Sequence, residues 1–140
     1  MNSIVIKCKV AVKGHVRGAA LVLPKALSYM EGVNTETGQF YETEYPELTG
    51  ENLKDKIMVY PWAKGSTGDC LRLWRAHENG VGPAGIINII ADPILVQGAL
   101  MSGIPLVYEP ARNPLEIIKS GDLVEIKDGT VIVESRHNNE

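Results

Sequence analysis

The sequence predicts one α/β domain spanning residues 1–140, with a mixed sheet flanked by β-hairpins. Three observations carry that reading. Two apolar runs, at 56–60 and 84–90, each lead into a segment with helical spacing, and a third short apolar run follows at 104–108. Strand–helix–strand–helix–strand at this spacing implies a parallel, right-handed βαβαβ core. Towards the C-terminus, Leu123–Lys127 and Thr130–Glu134 are separated by Asp128-Gly129, the signature of a tight hairpin.

The elements follow in order. Residues 4–13 read as a strand, with Ile6, Cys8, Val10 and Val12 on one side and Lys7, Lys9 and Lys13 on the other. Gly14 and Gly18 bracket a turn, and 19–23 forms a second strand stopped by Pro24. The NTETG stretch at 34–38 is a polar turn before a short strand near 39–42, and 45–55 is loop-like. In the helix predicted over 67–79, Cys70, Leu73, Trp74 and His77 share an apolar face, with Arg72, Arg75 and Glu78 elsewhere. Gly80 and Gly82-Pro83 end it. The run at 84–90, broken only by Asn88, suits a strand buried on both faces. Asp92 and Pro93 supply an N-cap and a proline at the first helical position, and the helix Pro93–Ser102 stops at Gly103. Residues 136–140 read as a frayed tail.

Composition excludes several classes. Apolar residues make up 44% and charged residues 22% of the 140, as in ordinary soluble globular proteins. A net charge of −3 with 14 scattered Lys and Arg argues against a nucleic-acid partner. No apolar stretch approaches the ~18–20 residues that span a bilayer, so no membrane partner is expected, and the lysine-alternating N-terminus is unlike a signal peptide. Cys8 and Cys70 form no CxxC; they read as free thiols of a cytoplasmic protein and are too few to hold an iron–sulfur cluster.

The segment richest in chemistry is PWAKGSTGD, residues 61–69, between a buried strand and an amphipathic helix. Open α/β sheets place ligands at the carboxyl ends of parallel strands. Gly65 and Gly68 allow close backbone approach, and the helix N-terminus offers N–H groups and partial positive charge beside Lys64. Such a setting lowers the cost of ionising the Ser66 hydroxyl or of binding a carboxylate. The same position equally suits Ser66 or Thr67 as a helix cap. A P-loop does not fit, because Lys64 precedes Gly65 rather than following a glycine.

AKGSTG, followed by NGVGPAGIIN and GALMSGIPLV and preceded by GHVRGAALV and SYMEGVNTETG, resembles the aconitase X small-subunit, or swivelling-domain, family. The resemblance runs from about Val10 to Val107. Ala63, Glu31, Asn34 and Arg17 depart from residues usual in that family. It implies a swivelling β/β/α fold, a large partner subunit and a hydro-lyase (dehydratase) reaction on a small hydroxy-acid. It assigns Ser66 as catalytic base; Lys64, Gly65, Thr67 and Ser28 are the candidate substrate-binding residues, and no metal ligand is expected on this chain. An iron–sulfur cluster or metal ion is expected on the large subunit. Two substrates dominate the family, cis-3-hydroxy-L-proline and phosphomevalonate. A modest charged fraction with Cys, Met, Asn and Gln retained suits a mesophile, which tilts the expectation to cis-3-hydroxy-L-proline, with phosphomevalonate the alternative.

His15 could contact an anion or simply be solvated, and His77 reads as a buried core residue. Trp62 reads as packing, and Cys70 as core rather than nucleophile. The helix Pro93–Ser102 is apolar nearly all round, which fits burial by default and a subunit interface as the sharper alternative. A non-catalytic binding module on the same fold is a further alternative. A stand-alone serine hydrolase lacks its GxSxG elbow and any evident Ser–His–acid set.

Overall fold

A computed structural model of the chain describes residues 3–135. The residues read as a frayed tail lie outside that range. Eight strands form one sheet in the order β1-β8-β7-β3-β4-β5-β6-β2. The strands are β1 (Ser3–Lys7), β2 (Lys9–Val12), β3 (His15–Val22), β4 (Ile57–Val59), β5 (Gly85–Ile87), β6 (Leu106–Tyr108), β7 (Leu123–Lys127) and β8 (Thr130–Glu134). β3, β4, β5 and β6 run parallel, and β4–α2–β5–α3–β6 is the βαβαβ unit expected, with α2 at Thr67–Glu78 and α3 at Pro93–Ser102.

The strand expected at 4–13 is two strands. β1 pairs with β8 and β2 with β6, so consecutive segments occupy opposite ends of the strand order. The break falls at Cys8, whose N–H leaves the β1–β8 ladder and donates to Gly129 O at 2.8 Å. This crossing brings the two edges of the sheet together, so that the sheet is nearly closed and barrel-like. The predicted turn at Gly14–Gly18 is also corrected. β3 starts at His15 and pairs antiparallel with β7, because alternating Val16 and Arg17 fit that ladder. Near 39–42 there are only isolated bridges, Val33 with Phe40 and Gln39 with Asn52.

The central strands bury both faces, as their continuous apolar runs require. Met58, Ile86 and Leu106 pack with Leu73 and Ala76 of α2 and Leu95 and Ala99 of α3. Ile57, Val59, Ile87 and Val107 face Ile126, Val131 and Val133 of the β7–β8 hairpin. The two helices meet closely because Gly98 of α3 has no side chain: a Cβ there would lie 2.9 Å from the Cys70 carbonyl oxygen.

α3 begins and ends as its sequence predicts. The Asp92 carboxylate accepts the Leu95 N–H at 3.0 Å, and Gly103 closes the helix at φ +69°. α2 buries Asp69, Cys70, Leu73 and Ala76. Trp74 and His77, expected on the apolar face, are exposed; the stripe is rotated because α3 crosses at Cys70 and the 28–32 segment docks beside Asp69.

Candidate functional site

Two short elements without helical periodicity build half of the site. α1 (Tyr29–Gly32) is capped by Ser28, whose hydroxyl accepts the Glu31 N–H at 3.0 Å. Tyr45, just before a 3-10 turn at Pro46–Leu48, holds this segment from below. Its hydroxyl oxygen accepts the Ser28 N–H at 2.7 Å and its O–H donates to Ala26 O at 3.1 Å. The other half is the loop from β4 to α2. Leu27 and Ala63 form a parallel bridge, and Leu27 N and Lys64 N bond across it to Trp62 O and Leu27 O. Gly65 then turns at φ +78°, a conformation that favours glycine.

Ser66 occupies the N-cap position of α2 with extended backbone (φ −131°, ψ 157°), yet its hydroxyl makes no cap bond. Instead Ser66 Oγ lies exposed, 4.0 Å from Met30 Sδ. Ser28, Met30, Glu31, Lys64 and Ser66 line one cleft of about 320 Å³. Lys64 Nζ is 3.6 Å from Glu31 Oε1 with both side chains more than half exposed, a loose pair that leaves the ammonium able to turn to an anion.

Of the residues expected at the site, the structure therefore brings Ser66, Lys64 and Ser28 around one opening. Gly65 forms the turn beneath it. Thr67 is exposed at the first helical position and does not line the cleft. His15 sits on β3, hydrogen-bonded to Glu125 and outside the cleft; that partner holds the Glu125 carboxyl below its usual range. Trp62 is 46% exposed rather than packed and lines a neighbouring cleft with Ile90 and Asp92. His77, exposed, lines a third, with Gly82 and Pro83.

Sequence reasoning missed Asp69, Met30, Glu31 and Tyr45. Asp69 was legible only as an acid three residues into a helix, where a capping box would turn it back on its own N-terminus. It reaches outward instead, accepting the Met30 N–H at 3.1 Å and the Ser28 O–H at 3.4 Å. Asp69 is fully buried and its Oδ2 has no hydrogen-bond partner among the described residues. Burial raises its pKa, against the lowering effect of the Met30 N–H, the Ser28 hydroxyl and the Tyr29 N–H.

The sequence profile of the aconitase X swivel domain matches residues 5–135. The chain belongs to the aconitase X swivel-domain family. It is 43% identical over 117 residues to the phosphomevalonate dehydratase small subunit of Methanocella arvoryzae, covering 84% of this chain and 87% of that one. It is 36% identical over 134 residues to the subunit of the same name from Methanococcoides burtonii, covering 96% and 97%. The crystal structure of Thermococcus kodakaraensis aconitase X in its holo-form superposes with a TM-score of 0.86 at 30% identity, covering 94% of this chain and 99% of that chain.

The donor set of this swivel domain does not fit a metal centre. Among the described residues no group of three or more His, Cys, Asp and Glu could hold a metal ion. Cys8 is half-buried and burial pushes its thiol up to about 11, which disfavours the thiolate that a metal needs. Cys70 is buried in the α2–α3 seam, its thiol 4.0 Å from Met101 Sδ. Also among the described residues, no helix is long and apolar enough to cross a membrane.

Proposed function

We propose that this chain is the small subunit of a phosphomevalonate dehydratase and that Ser66 is the base of its reaction. The observation that carries the reading is the Ser66 hydroxyl, placed at a helix N-terminus but not consumed in capping it. The hydroxyl opens on a cleft shared with Lys64. The family and the small-subunit names of relatives at 43% and 36% identity support the dehydratase class and a large partner subunit.

Those relatives also favour a different substrate from the one composition suggested. The composition argument leaned to cis-3-hydroxy-L-proline, but a charged fraction reports on growth temperature and carries no information about which acid enters a cleft. Phosphomevalonate, the alternative, is the better reading.

In the reaction proposed, the Ser66 alkoxide takes a proton from the carbon next to the substrate carboxylate. The C–H electron pair becomes the new C=C bond, and the hydroxyl on the adjacent carbon takes a proton from the large-subunit side of the site and leaves as water. Ser66 returns to the alkoxide by releasing its own proton to solvent. Serine is a weak base at neutral pH, so its anion needs the α2 N-terminus and the Lys64 ammonium. Among the described residues no cluster of metal-binding groups stands by to assist the departing hydroxyl, and we assign that side of the site to the large subunit. The test is turnover by the reconstituted two-subunit complex. Dehydration of phosphomevalonate with none of cis-3-hydroxy-L-proline is expected; the reverse preference would overturn the substrate assignment.

A further inference from the structure

We propose that Asp69 is the positioning residue of this site, fixing the wall that faces Ser66. The inference rests on the reading of Ser66 as base and deepens it.

The wall is the segment from Ser28 to Glu31. Two anchors hold it. Tyr45 grips its start through the Ser28 N–H, and Asp69 of α2 grips both the Ser28 O–H and, two residues on, the Met30 N–H. The Asp69 grip decides where Met30 lies. Its thioether rests on the first turn of α2, so close to Gly68 that a Cβ there would collide with the sulfur, and stands 4.0 Å from Ser66 Oγ. The wall beside the serine is thus set by a carboxylate that does not itself line the cleft.

A neutral side chain could hold two donors more cheaply. Asp69 instead keeps an ionisable group fully buried with Oδ2 unpartnered among the described residues, an arrangement that costs stability. Its place in the first turn of α2 offsets part of that cost, since the helix N-terminus favours negative charge. A short, rigid acceptor at this place ties the position of Met30 to the same turn that presents Ser66. A misplacement of about 1 Å in such a wall can cost on the order of 100-fold in rate.

The test pairs a local structural readout with kinetics. Amide hydrogen exchange at Met30, measured by NMR on the full chain, is compared with that at Ile104, whose N–H bonds to Ala99 O at the far end of α3. Turnover is measured on the complex reconstituted with the large subunit. Asp69→Ala should speed exchange at Met30 about 10-fold relative to Ile104 and lower kcat about 10–100-fold, more than it raises KM. Asp69→Asn, which keeps an acceptor for the Met30 N–H, should restore most of both. A fall in kcat without selective exchange at Met30 would overturn the positioning role. Wild-type kcat in Asp69→Ala would do so too, whatever Ser66→Ala does. Wild-type turnover in Ser66→Ala beside a loss in Asp69→Ala would remove the base and leave Asp69 positioning the cleft.

Discussion

The Tyr45 hydroxyl accepts the backbone N–H of Ser28 at 2.7 Å, and its ring fills the space that a side chain at residue 32 would need. One residue thereby supports both the cap and the end of α1, from a stretch the sequence leaves as loop. Tyr45→Phe keeps the ring and removes the acceptor. It leaves the buried Ser28 N–H unpaired, at a cost of about 1–3 kcal/mol. Urea unfolding measures the cost, and a loss near zero would mean that Ser28 finds another acceptor.

The helical layer offers a cleaner comparison. Leu73 is fully buried, Trp74 is 37% exposed, and Arg75 is exposed. Leu73→Ala should cost about 2–5 kcal/mol, Arg75→Ala about 0.5 kcal/mol or less, and Trp74→Ala should fall between them. Thermal unfolding of the three variants orders them. A larger loss at Trp74 than at Leu73 would contradict the rotation of the buried stripe.

That rotation marks where sequence reasoning stopped. Periodicity located α2 and α3, and the caps at Asp92 and Gly103 fixed the bounds of α3, because these are local signals. The βαβαβ core was legible for the same reason. Which stripe of α2 faces inward depends on Gly98 crossing at Cys70, a contact between residues 28 positions apart that no window of sequence contains. The fate of β1 and β2 likewise depends on closure of the sheet, which local alternation of apolar residues cannot reveal. At the site, Ser66, Lys64 and Gly65 were legible as one contiguous motif. Met30, Tyr45 and Asp69 were not, since they meet only through the fold.

Asp69 yields a prediction about pH. Burial is the largest cause raising its pKa in the folded chain, and the nearby Asp92 carboxylate adds to it. The folded state therefore holds the Asp69 proton more tightly than the unfolded state does. Its contribution to stability is fully present below the unfolded value, about 3.9, and is lost as pH rises through the folded value. Asp69→Asn removes this titration. Its stability relative to wild type should improve from about pH 3.5 upward until Asp69 is ionised in the folded chain. Unfolding by urea at a series of pH values gives the difference, in which carboxylates remote from Asp69 cancel. A difference that does not change with pH would mean that Asp69 titrates alike in both states.

The strongest prediction concerns Ser66. A serine that caps a helix loses about 1 kcal/mol of stability when replaced by alanine. The Ser66 hydroxyl makes no cap bond, so Ser66→Ala should leave thermal unfolding nearly unchanged. If the hydroxyl is the base, the same change should lower turnover of the reconstituted complex by about 10²–10⁴-fold while assembly with the large subunit is retained. Thr67→Ala is the control: its side chain lies outside the cleft and turnover should stay close to wild type. Lys64→Gln should fall between the two, because the alkoxide loses one cation but keeps the helix N-terminus. The decisive pairing is a rate and a melting curve on each variant. Stability lost with rate kept would make Ser66 a cap, whereas rate lost with stability kept is the signature of a base.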